Sequence, residues 1–159
     1  MFTKGTRTSH YEICSIISET AKSEVYEALE VQTAIKYALK IFRHGKMSQE
    51  SIVKEIEIMN SIKHPNIMPI KEVISEGNNN LRIIMPRAII DLLTYVETRG
   101  TFDECNASRV IYSVLNALSY LHSMNIIHRN VKLDNILIMK EERSIINNVV
   151  LSGFSCFTS

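Results

Sequence analysis

Tryptophan is absent from this chain of 159 residues, and glycine (5), proline (3) and cysteine (3) are sparse. So little glycine and proline, with no internal repeat or biased tract, excludes collagen-like and low-complexity chains. Cys14, Cys105 and Cys156 are odd in number, widely spaced and in no C-x-x-C pair, so neither a disulfide framework nor a zinc site is expected. All three read as ordinary thiols. A surplus of either charge is missing too, since 18 Lys+Arg face 17 Asp+Glu for a formal charge of +1. Without a basic footprint, neither nucleic acid nor an anionic membrane is expected as a partner. The apolar runs, such as Ile83-Ile84-Met85 and Ile126-Ile127, are far below the roughly 20 residues that span a bilayer. Met1 is not followed by a secretory apolar stretch, so the expected location is cytoplasmic or nuclear.

What is present is an ordinary globular mixture, 45% hydrophobic and 22% charged, enough for one compact domain or two small lobes. Up to about Asn80 the chain reads as short strands with one helix. Val25 to Glu30 and Ala34 to Phe42 are strand-like. Ile52, Ile56, Met59 and Ile62 recur at helical spacing behind a Ser48 cap and Glu50, until His64-Pro65-Asn66 ends the helix. Met68 to Ser75 and Leu81 to Met85 read as two further strands around a Glu76-Gly77-Asn78-Asn79-Asn80 turn. From Asp91 the chain turns helical. Thr101-x-x-Glu104 is expected to form a capping box for a helix of about twenty residues carrying Ala107, Val110, Ile111, Val114, Leu118 and Leu121. Ile136-Leu137-Ile138 and Val149-Val150-Leu151 are short apolar pieces beyond it.

His128-Arg129-Asn130-Val131-Lys132-Leu133-Asp134-Asn135-Ile136-Leu137 resembles the catalytic loop of protein kinases, H-R-D-L-K-x-x-N. Tyr37-Ala38-Leu39-Lys40 is similar to the V-A-I-K strand, Lys54-Glu55-Ile56 to the helix that bears its acidic partner, and His64-Pro65-Asn66-Ile67 to the turn after that helix. The resemblance spans about Tyr11 to Ser155 and is nearest to serine/threonine kinases of the calcium/calmodulin-dependent and related groups. It implies an α+β, protein-kinase-like fold. A small antiparallel sheet N-lobe with one helix (about 11–85) would be followed by an incomplete, mainly helical C-lobe (86–159).

The resemblance makes Lys40 the cation on the ATP α- and β-phosphates, paired with Glu55; a solvated strand lysine is the plainer reading. Val25, Ala38 and Leu137 would enclose adenine, with Met85 behind it and Pro86-Arg87-Ala88 as the hinge. A collapsed apolar core with no ligand fits those side chains equally well. Ser18-Glu19-Thr20-Ala21-Lys22-Ser23-Glu24-Val25 stands where the family has G-x-G-x-x-G-x-V, so every glycine is replaced and weak triphosphate binding is expected. Asn130 stands for the catalytic aspartate and cannot serve as a carboxylate base. Lys132 and Asn135, a phosphate contact and a metal ligand in the family, are kept. The metal-binding D-F-G is aligned with Leu151-Ser152-Gly153, and leucine offers a hard cation no oxygen. No aspartate follows Asp134, and Glu141 and Glu142 read as solvated turn residues. ATP is thus the expected cofactor, weakly held, with Mg²⁺ disfavoured.

Ending at Ser159, the chain would lack the family's activation segment and later C-lobe helices. Apolar surface on the long helix would then need a dimer or a partner protein over Ile111, Val114, Leu115 and Leu118. Three readings follow: an inactive kinase-derived binding module, a weakly active or partner-complemented serine/threonine kinase, and a decaying gene product.

Overall fold

The computed structural model describes residues 7–76 and 80–154. The middle of the expected 76–80 turn, Ser155 and Cys156 lie outside the described residues. Two compact units emerge, one of Met1–Asn60 with Pro69–Arg87, the other of Ser61–Met68 with Ala88–Ser159. The division falls after Arg87 rather than at residue 85, and it assigns 61–68 to the later unit.

In the first unit β1 (Arg7–Thr8), β2 (Tyr11–Glu19), β3 (Ser23–Glu30), β4 (Lys36–Phe42), β5 (Glu72–Glu76) and β6 (Asn80–Pro86) form one antiparallel sheet in the order β1-β2-β3-β4-β6-β5. Side chains directly opposite across such a ladder share a face, as do residues two apart along a strand. The pairs Tyr26↔Leu39 and Leu39↔Ile84 therefore place three apolar residues on one face. There they join Tyr11, Ile13, Ala28 and Ile74 in a buried cluster. Tyr11 is fully buried yet satisfies its hydroxyl, which donates to Glu72 at 2.9 Å. The two edge strands are tied together by Arg82, which donates to Thr8 on β1 and pairs with Glu76 on β5 at 2.8 Å.

Helix α1 (Gln49–Ser61) begins at the expected cap, where the Ser51 N–H donates to Ser48 Oγ at 3.2 Å. It buries Ile52, Glu55, Ile56 and Met59 on one stripe.

The second unit holds α2 (Leu92–Arg99), α3 (Glu104–Ser123), a single 3₁₀ turn (Leu133–Asn135) and a sheet β7-β8-β9 of Ile90–Asp91, Ile136–Glu142 and Ile145–Leu151. Helical residues outnumber strand residues in it, in keeping with a mainly helical lobe. The α3 cap is corrected. Asp103, not Thr101, accepts the Asn106 N–H at 2.7 Å. Asn106 is buried and ties α3 to the last hairpin, donating to Ser144 O and accepting from Ile146 N, both at 2.9 Å. Glu141 is likewise not simply solvated, since Arg99 donates to it at 2.7 Å.

Met68 belongs to no strand of the first sheet. The segment before it runs alongside β9: Leu151 N–H donates to Asn66 O at 2.8 Å and Met68 N–H to Leu151 O at 2.9 Å. On α3, Val110, Ala117 and Leu121 are buried while Ile111 (58%), Tyr112 (68%) and Leu115 (59%) are exposed. Val114 and Leu118 are half-buried. Among the described residues no helix is long and apolar enough to cross a membrane.

Candidate functional site

In the first unit, Lys40 sits in the middle of β4 and Glu55 on the buried stripe of α1. Both side chains are taken out of water, and the Lys40 ammonium donates to Glu55 Oε1 at 2.6 Å. A buried charge of either sign would be costly alone, so the pair is the condition for having either residue there. Lys40 Nζ also lies 5.0 Å from the Phe42 ring centroid. Glu55 Oε2 is buried with no hydrogen-bond partner among the described residues, leaving acceptor capacity at the pair.

The register places three more expected residues on the same sheet face as Lys40. Val25 is opposite Lys40, Ala38 is two residues away along β4, and Met85 is opposite Ala38. Ala38 and Met85 are buried and Val25 is half-buried. The first unit thus gathers Val25, Ala38, Lys40, Glu55 and Met85. Ala88, buried, and Leu137, half-buried on β8, belong to the second unit.

The turn joining β2 to β3 is closed on itself. Thr20 N–H donates to Ser23 O at 2.8 Å, and Thr20 Oγ1 accepts from Ser23 N–H at 3.0 Å and Lys22 N–H at 3.3 Å. Glu19 and Glu24, which flank the turn, are bridged by the Arg43 guanidinium, 3.2 Å from Glu24 and in contact with Glu19. That contact is the chief reason the Arg43 pKa is raised further. Arg43 lies too far along the chain for spacing alone to pair it with these acids.

In the second unit the 128–135 segment folds around His128. This imidazole is buried, with Nε2 2.9 Å from Ser152 O and Nδ1 accepting the Asn130 N–H at 3.2 Å. The two contacts select the neutral Nε2–H tautomer. Burial holds its pKa below the ordinary value, against the smaller upward pull of the Ser152 carbonyl. Arg129 has a positive φ of 57° and is exposed.

Asn135 Nδ2 donates to Asn130 O at 2.8 Å, Asn130 Nδ2 reaches Gly153 O at 3.4 Å, and Ser152 N–H donates to Asn135 O at 2.8 Å. The loop is therefore braced by amides. Lys132 is exposed and held by Asp134 at 2.6 Å.

The expected metal position needs correction. Leu151 is fully buried at the end of β9, opposite Ile136. The residue against Asn135 is Gly153, where an added Cβ would fall 2.4 Å from Asn135 Cγ. Phe154 is buried with its ring edge-on to His128, centroids 5.1 Å apart. The aromatic residue was the available sequence signal: matching it to the F of D-F-G gives the register Gly153-Phe154-Ser155. Among the described residues no group of three or more His, Cys, Asp or Glu could hold a metal ion.

Residues 11–154 match the family model described as protein kinase domain. The serine/threonine-protein kinase DCLK1 of Rattus norvegicus is 30% identical over 140 residues, 87% of this chain and 32% of that protein. Myosin light chain kinase A of Dictyostelium discoideum is 27% identical over 135 residues, 83% of this chain and 46% of that protein. The solved structure of Rad53 1-466 in complex with AMP-PNP superposes with a TM-score of 0.78 at 28% identity, covering 91% of this chain and 38% of that one. The chain thus spans less than half the length of each of these relatives.

Proposed function

The chain belongs to the protein kinase domain family, and from that premise we propose that it is a catalytically inactive member, a regulatory or protein-binding module with weak affinity for ATP. One observation carries the reading. Asn130 stands at the base position, and Gly153 lies against Asn135, so neither place offers a carboxylate. A neutral amide cannot take a hydroxyl proton, and general-base assistance is worth roughly 10²- to 10⁴-fold.

The donor set does not fit Mg²⁺. A hard cation seeks several oxygens, at least one of them anionic, whereas this site offers neutral amides and a glycine. The nucleotide itself fits better. Rad53 was crystallised with AMP-PNP, and here the buried Lys40–Glu55 pair keeps a cation in place for phosphate. Lys40 would act through charge, and Val25, Ala38 and Met85 would give an apolar surface to a purine.

The test is twofold. Transfer of labelled phosphate from ATP to a protein substrate should be undetectable, and ATP should raise the melting temperature equally with and without Mg²⁺. Labelling that disappears in Lys40→Met would overturn the reading.

The intact Lys40–Glu55 pair also favours a second reading, a serine/threonine kinase whose missing acids come from another chain. Activity would then appear only with that chain present. For the inactive module, protein contact is assigned to α3, where Ile111, Tyr112 and Leu115 are exposed. A Leu115→Glu variant should lose any self-association seen by sedimentation.

A further inference from the structure

A turn that holds phosphate must turn free N–H groups outward, usually through a residue in the left-handed region that makes the backbone concave. The Glu19–Ser23 turn has no residue in that region and commits three of its N–H groups internally. The Thr20, Lys22 and Ser23 N–H groups are already bound to Ser23 O and Thr20 Oγ1. The positive-φ positions among the described residues all fall elsewhere in the chain. A second layer reinforces the closure. Arg43 N–H donates to Lys22 O at 2.8 Å while its guanidinium spans Glu19 and Glu24. Engaging a phosphate here would mean giving up the Thr20 bonds and bringing a polyanion beside two carboxylates whose counter-cation is already committed.

We propose that this turn takes no hold of phosphate, so that the chain does not distinguish ATP from ADP. The inference rests on the nucleotide-binding reading above and deepens it. The ligand class becomes an adenine nucleotide recognised through its base and inner phosphate, with the terminal phosphate unread. Thr20 is the positioning residue, because its one hydroxyl collects two of the three N–H groups.

Calorimetric titration of the whole chain with ATP and with ADP, in EDTA, tests this. The two dissociation constants should agree within about threefold, and the Thr20, Lys22 and Ser23 amide resonances should stay in place at saturation with ATP. A tenfold preference for ATP, or large shifts of those amides, would overturn the inference and leave the nucleotide reading standing. If neither nucleotide binds, the nucleotide reading fails and this inference with it. A Thr20→Gly/Ser23→Gly variant, freed of the clamp, should gain a preference for ATP. An unchanged ratio in that variant would trace the indifference to another cause and overturn the role given to Thr20.

Discussion

Leu151 and Gly153 sit two residues apart, and an acid introduced at either would meet entirely different surroundings. At Leu151 it would be fully buried in β9 beside the apolar Ile136 and Ile67. Leu151→Asp should therefore destabilise the chain by about 3 kcal/mol or more, seen as a fall in the urea midpoint at unchanged slope. At Gly153 (φ 86°) the obstacles are the backbone conformation and the Asn135 side chain. Gly153→Asp should cost about 1–3 kcal/mol, and adding Asn135→Ala should recover part of it in a double-mutant cycle. His128 makes the remaining residue-scale prediction. Its depressed pKa means that the unfolded chain takes up the proton first as pH falls. The stability contributed by the neutral ring is thus complete above about 6.5. It declines as pH drops below that and is gone once the folded imidazole is protonated at Nδ1, at the expense of the Asn130 N–H bond. Melting temperature followed from pH 8 to 5 should show this decline, and His128→Gln should flatten it.

Elements were readable where a single buried stripe governs them. The apolar spacing of α1 and its Ser48 cap needed only local information, and α3 was legible for the same reason. Its exact start was not, because Thr101 and Asp103 are both good caps and only the observed bond to Asn106 decides between them. Asp103→Ala should cost about 1 kcal/mol, while Thr101→Ala should stay within about 0.5 kcal/mol; thermal melts of the two variants distinguish the caps. Strands were harder. In β3, Tyr26 and Ala28 are buried on one face while Val25 and Glu27 are half-buried on the other, so the alternation is blurred by cover on both sides. The run from Met68 was misread as strand because its apolar residues serve a different partner. Ile67 and Met68 are buried beside Leu151, and β5 begins only at Glu72.

For the molecule as a whole, family membership was legible because several short motifs fall in the right order on the right elements, a pattern independent of any one contact. The register of the last motif was harder, since a single aromatic letter, Phe154, carries it, and its support comes from the contacts of Gly153 with Asn135 and of the Phe154 ring with His128. The two units supply a prediction at this scale. A fragment ending at Arg87 keeps every member of the buried cluster around Tyr11 and Leu39, but leaves Lys63, Asn66 and Met68 without Tyr120, Val149 and Leu151. Limited proteolysis with mass spectrometry should find cleavage within 61–68 much faster in the fragment than in the full chain. That interleaving also constrains evolution and engineering. Because the second unit takes a stretch from between two parts of the first, no single crossover point in a gene can exchange one unit cleanly for a homologous copy. Recombinants joined near residue 87 would inherit a mismatched seam along β9, and functional chimaeras would need two exchanges in register.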